Sequence, residues 1–230
     1  MKPTNSVFKN ERTIAIDTET TGLSPKENSL LSIGAVDLAT GDTFKVDCRV
    51  QDGRLVNDKA LEVNGFTKEE IYDKSKPTAE EAVEALENFI KEHSAKVLIG
   101  YNFSFDLSFL YYAKYTAISS FKIAPSAIDL EEVMLNEVVT NDKLYPLSEK
   151  EKVEGKYPSL NASLNYFNSP DEMKPHISLT GAIESAELYC LMKYKTHFIE
   201  TINTPLPPIY NTITIPVDKY IKNISLFIKQ

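Results

Sequence analysis

Cysteine occurs only twice in the 230 residues, and arginine and histidine only three times each. Cys48 and Cys190 lie far apart and form no Cys-x-x-Cys pair, which excludes a disulfide scaffold and a cysteine-based zinc site. A reducing cytoplasm is the simplest home for such a chain. Arginine is limited to Arg12, Arg49 and Arg54, and the formal charge is 25 − 33 = −8. A pI near 5.1 excludes a non-specific nucleic-acid coat built on phosphate neutralisation. It leaves room for an enzyme acting on nucleic acid, whose site can be acidic and carry its positive charge as bound metal. No apolar run approaches the roughly 18 residues of a membrane span, and Met-Lys-Pro-Thr-Asn is no secretory signal. Internal repeats and low-complexity tracts are missing too.

What remains is an ordinary globular balance, 42% apolar and 25% charged, long enough for one large domain or for one domain plus a short appendage. Residues 13–18 and 29–36 read as apolar strands. Residues 43–50 alternate, with Phe44, Val46, Cys48 and Val50 on one face. Ala-Thr-Gly-Asp at 39–42 supplies the turn of a hairpin, so an antiparallel β-meander opens the domain. Thr78 and Glu81 have capping-box spacing, and Ala82, Val83, Leu86, Phe89 and Ile90 follow on one helical face. Residues 96–100 read as an inner strand, 104–114 as a helix, and 127–129 as a strand leading into a helix. Residues 142–157 read as a charged, mobile loop. Helices follow over 159–167 and 177–196, the latter with Ala182, Ile183, Ala186, Tyr189 and Cys190 inward. A hairpin followed by strand–helix units gives an α/β three-layer domain over 1–198, with a mixed sheet and helices on both faces. Residues 199–230 form an extension broken by Pro205, Pro207, Pro208 and Pro216, with apolar stretches at 213–216 and 220–228 that can dock.

Asp17-Thr18-Glu19-Thr20-Thr21-Gly22-Leu23 is the most informative stretch. Carboxylates at i and i+2 of a strand share a face. Two acids that close repel one another, which suits a divalent cation between them. The plain alternative is a strand end with two solvated acids. Asp106 falls in the first turn of a helix behind an inner strand, where interaction with the helix dipole is the competing explanation. Of the three histidines, His93 and His197 sit at helix ends where a solvated role is expected, and His176 lies on the loop entering the last long helix.

Together the Asp-x-Glu-Thr-Thr-Gly-Leu run, Asn102-x-x-Phe105-Asp106-x-x-Phe109-Leu110 and His176 ahead of a C-terminal helix resemble the DEDD superfamily of 3′–5′ exonucleases, histidine subgroup. Val63-Asn64-Gly65-Phe66-Thr67, Ile128-Asp129 and the run at 159–164 are similar to segments of its members. The resemblance implies a ribonuclease-H-like fold, two Mg²⁺ or Mn²⁺ ions, and single-stranded DNA or RNA 3′ ends as substrate. It implies metal ligation by Asp17, Glu19 and Asp106, and His176 as the general base. Thr18, Thr20 and Leu23, with Asn64, Asn102 and Phe105, would seat the 3′ nucleotide; Leu23 and Phe105 read equally well as core residues. In relatives the region after the domain tethers a polymerase, so 199–230 is expected to bind a protein partner, self-associate, or pack on its own domain.

One position departs from the pattern. His176-Ile-Ser-Leu-Thr-Gly181-Ala182 lines up with the subgroup's His-x-Ala-x-x-Asp-Ala, so Gly181 stands where the fourth acid belongs. Glu184 lies three residues on, about 60° round the helix. An impaired nuclease, or a binding module that keeps the fold, is the alternative expectation.

Overall fold

The computed structural model describes residues 6–114, 126–139, 158–199, 205, 214–224 and 227. The expected loop at 142–157 lies outside these. The described strands are β1 (Thr13–Thr20), β2 (Leu30–Asp37), β3 (Thr43–Asp47), β4 (Val97–Gly100), β5 (Ser126–Asp129) and β6 (Lys222–Asn223). They form one mixed sheet in the order β3-β2-β1-β4-β5-β6. β1, β2 and β3 pair antiparallel, β1-β4 and β4-β5 pair parallel, and β5-β6 is antiparallel. The helices are α1 (Asp58–Asn64), α2 (Lys68–Ile71), α3 (Ala79–Glu92), α4 (Phe103–Lys114), α5 (Leu130–Val133), α6 (Leu160–Tyr166) and α7 (Ser178–Tyr194).

The two-residue period of β1 divides the core. Ile14 and Ile16 pack with Val83, Leu86 and Ile90 of α3 and Leu107 and Leu110 of α4. Ala15, between them, packs on the opposite face with Ala186, Tyr189 and Cys190 of α7. Helices therefore cover both faces, as the sequence predicts. The capping box at α3 is also present, with the Glu81 amide donating to the Thr78 hydroxyl and the Thr78 amide to Glu81. These reciprocal bonds satisfy two amides that a helix start otherwise leaves free.

Two expectations need correction. β3 ends at Asp47 rather than at residue 50, because the chain leaves the sheet to bond elsewhere: the Arg49 amide donates to Pro77 and the Val50 amide to Ile71. The histidines at helix ends are not solvated. His93 bonds Asp42 and the Phe89 carbonyl. His197 bonds the fully buried Glu187, which also accepts the amides of Phe198 and Ile199.

The extension is part of the fold where it is described. β6 pairs with β5, and Ile215, Val217, Tyr220, Ile224 and Phe227 are buried against the two core faces. Lys222 contacts both oxygens of Glu132 at 2.6 Å, and Lys219 and Tyr220 donate to Glu137. No helix among the described residues is long and apolar enough to cross a membrane.

Candidate active site

The strand order reverses at β1, whose neighbours are the antiparallel β2 and the parallel β4. Open α/β sheets characteristically bind ligands at such a point, beyond the strands' carboxyl ends. Asp17 and Glu19 stand at this end of β1, on the same face as Ala15 by strand period. The pairing register shifts between Glu19 and Thr20, so the ladder is irregular immediately after the second acid. Beside them β4 ends at Gly100, and α4 begins at Phe103, which brings Asp106 of its first turn to the same place.

A cavity of about 30 Å³ opens here, walled by Asp17, Glu19, Glu172, His176, Gly181 and Glu184. α7 reaches it because two glycines let the helix approach the sheet. A Cβ on Gly34 of β2 would lie 2.2 Å from the backbone of Ser178 and Leu179. A Cβ on Gly181 would lie 2.6 Å from the nearer Asp17 carboxylate oxygen. Real Cβ atoms do not come so close, so Asp17 occupies the space a side chain at 181 would need. The Ser32 and Ser178 hydroxyls, 2.7 Å apart, pin the helix start to β2.

The cluster is electrostatically strained. Burial, then the charges of Asp106, Glu19, Glu184 and Glu172, push the Asp17 carboxyl well above its ordinary value. Burial, then Asp106 and Glu172, push Glu19 up to about 8, with Lys174 opposing. Asp106 is pushed up to about 7 by burial, against the Thr18 hydroxyl that donates to its Oδ1 at 2.7 Å. Burial also raises Glu184 to about 7, against the Met173 amide that donates to it at 2.8 Å. Such a set of oxygen donors, carrying more negative charge than its surroundings offset, fits a hard divalent cation. Among the described residues, no three of these side chains close on one ion-sized point as they stand.

His176 is half-buried in the cavity wall. Its Nδ1 lies 3.4 Å from Glu172, and Lys174 donates to its Nε2. The loop bearing it is held by the His176 amide on the Val63 carbonyl, the Glu172 amide on Asn161 and the Met173 amide on Glu184.

The other expected residues divide. Asn64 donates to the Thr20 carbonyl at 3.0 Å and the Thr20 hydroxyl donates to the Gly22 carbonyl, so both brace the loop after β1. Leu23 at the tip of that loop is 85% exposed, which rules out a core role. Phe105 does the opposite and packs on Phe109, centroids 4.9 Å apart. Asn102 is exposed, with a left-handed φ of 51° at the turn between β4 and α4. Glu172 was not among the expected residues. The signal available for it was an acid four positions before a loop histidine, which is weak without the loop's path.

A family model described as exonuclease, of the ribonuclease T type, matches residues 14–181. The chain belongs to this exonuclease family. Over 109 residues it is 34% identical to the DNA polymerase III epsilon subunit of Buchnera aphidicola subsp. Acyrthosiphon pisum, covering 44% of this chain and 43% of that protein. It is 24% identical to a PolC-type DNA polymerase III of Thermotoga maritima, over 96% of this chain but 16% of the relative. The chain thus spans less than half the length of the curated relatives it matches. Among solved structures, the zinc-bound E. coli exonuclease I–single-stranded DNA complex superposes with TM-score 0.60 at 16% identity, covering 80% of this chain and 40% of that one. A 3′-exonuclease described as recognising the 3′ end of a histone mRNA stem-loop gives 0.54 at 16% identity, with coverages of 78% and 80%. These likenesses show the ribonuclease-H-like exonuclease fold.

Proposed function

We propose that this domain is a metal-dependent 3′–5′ exonuclease of the histidine subgroup, acting on single-stranded DNA or RNA ends. The observation that carries the reading is the meeting of Asp17, Glu19 and His176 at one cavity, with Asp106 close enough to perturb both acids. Asp17, Glu19 and Asp106 would hold two Mg²⁺ or Mn²⁺ ions. Bound there, the ions would stabilise the attacking and leaving oxygens of an in-line phosphodiester displacement. His176 takes the proton of the attacking water at Nε2, once Lys174 gives up that nitrogen. Glu172, 3.4 Å from Nδ1, would orient the ring for that transfer. Exposed Leu23 offers an apolar surface to a terminal base, and Thr20 and Asn64 keep its loop in place. Phe105, packed on Phe109, holds the start of α4 that carries Asp106.

The test is digestion of 3′- and 5′-labelled DNA and RNA oligonucleotides with Mg²⁺, Mn²⁺ or a chelator. The expected result is a ladder descending from full length on the 5′-labelled strand and early release of labelled mononucleotide from the 3′-labelled one, only with metal. Binding of oligonucleotides without cleavage in either metal would instead identify a module that keeps the fold for binding.

A further inference from the structure

We propose that Glu184 supplies the site's fourth carboxylate from one helical turn beyond position 181; this rests on the metal-dependent reading above. Gly181 has no side chain to offer, and the space a side chain would take is filled by Asp17. A ligand must therefore come from another point on α7 or from the loop before it. Glu184 is about 60° round and about 4.5 Å along the helix from 181, and its side chain is one methylene longer than aspartate. It walls the same cavity as Asp17 and Glu19 and is only 7% exposed.

Its bonding leaves it available. One oxygen accepts the Met173 amide, while no hydrogen bond among the described residues reaches the other. No lysine, arginine or histidine among them forms an ion pair with Glu184; the favourable charge acting on it is that of Lys174, which itself pairs with Glu172 at 3.6 Å. Buried charges are normally paired with an opposite charge or with a metal. Glu172, the other additional acid, already has Lys174 at 3.6 Å and His176 at 3.4 Å. Its charge is compensated, and it sits on a loop rather than on a packed helix. A carboxylate on α7 is also held more rigidly against the sheet, as a ligand facing Asp17 must be.

A purely structural role, anchoring the Met173 amide, is separable from ligation. Glu184→Gln keeps an acceptor oxygen for that amide and removes only the charge. Glu184→Asp keeps the charge but withdraws it by one methylene. Mn²⁺ titrations of the full chain, followed by the resonance of the free ion, are compared with Asp17→Asn and Glu172→Gln. Thermal melts in chelator confirm that each variant is folded. We expect Glu184→Gln and Glu184→Asp each to weaken Mn²⁺ binding by about tenfold or more, with Glu172→Gln affected much less. Unchanged affinity in Glu184→Gln, with binding lost in Asp17→Asn, overturns the assignment and leaves the metal-dependent reading standing. A larger loss in Glu172→Gln than in Glu184→Gln also overturns it. No Mn²⁺ binding by the unaltered chain overturns both.

Discussion

Replacing Glu19 with glutamine should stabilise the metal-free protein at alkaline pH and leave it unchanged at acid pH. The Glu19 carboxyl is pushed up to about 8 from an ordinary 4.5, because folding buries it beside Asp106 and Glu172. Between those two values the folded protein keeps a proton that the unfolded chain has released. Fewer protons bound in the unfolded state means that stability falls as pH rises through this window. The penalty is absent below about 4.5 and complete above about 8. At about 1.4 kcal/mol per pH unit, a gap of 8 − 4.5 = 3.5 sets a ceiling of about 5 kcal/mol. Relaxation of neighbouring acids reduces this to about 3 kcal/mol, or about 6–12 °C in melting temperature for a protein of this size. The assay is a series of thermal melts in chelator from pH 5 to pH 9, for the unaltered chain and Glu19→Gln. The two should coincide at pH 5 and diverge steadily above it. Parallel curves, or a lower melt for the variant at pH 9, would refute the idea that buried acids strain this site.

Gly181→Ala puts a methyl group 2.6 Å from the Asp17 carboxylate, so Asp17 must swing away. Since alanine also improves helix propensity by up to about 1 kcal/mol, calorimetry should show a net change in metal-free stability within about 1 kcal/mol but altered Mn²⁺ affinity. Removing residues 214–230 exposes the β5 edge and the surfaces covered by Val217, Tyr220 and Ile224, each worth about 1.5–3 kcal/mol when fully buried. A lower melting temperature with concentration-dependent association is expected, and an unchanged melt at unchanged mass would show that the extension is dispensable. Glu187→Ala strips the Phe198 and Ile199 amides and His197 of their acceptor inside the core, at a cost of about 3 kcal/mol in denaturant melts. Oligonucleotide binding should show a log–log salt slope no steeper than about −2, the value for two or three phosphate contacts on a single strand.

The strands and the long helices were legible because each carries its own periodic signal. Ala82, Val83, Leu86, Phe89 and Ile90 all point inward from α3, as spacing alone predicts. Short elements escaped for the complementary reason. α1 and α2 are seven and four residues long and bury only Leu61 and Ile71, so neither shows an apolar face in the sequence. β6 is two residues long and exists because β5 offers it an edge, a fact about the partner and not about Lys222–Asn223. His197 was misjudged in the same way, since its position at a helix end says nothing of Glu187, ten residues earlier on the buried face.

The site shows where reading a motif residue by residue stops working. Strand period sets Asp17 and Glu19 on one face and a helix start locates Asp106, whereas His176 is picked out only by its spacing in the family pattern. Gly181 is visible as well, but only as an omission, and an omission at one position invites the conclusion that the charge itself is missing. The cavity has other acids in its wall beside that position. Counting by wall rather than by position, the acids are Asp17 and Glu19 from β1, Glu184 from α7 and Glu172 from the loop, with Asp106 adjoining from α4. Their mutual repulsion in the metal-free protein is the physical sign that negative charge is abundant here. Gly181 allows Asp17 to rest where a side chain would otherwise stand, and on the proposal above α7 presents its carboxylate from Glu184 instead. Gly181→Ala, which denies Asp17 that position, is therefore the substitution that would separate the resting place of Asp17 from its proposed role toward a cation.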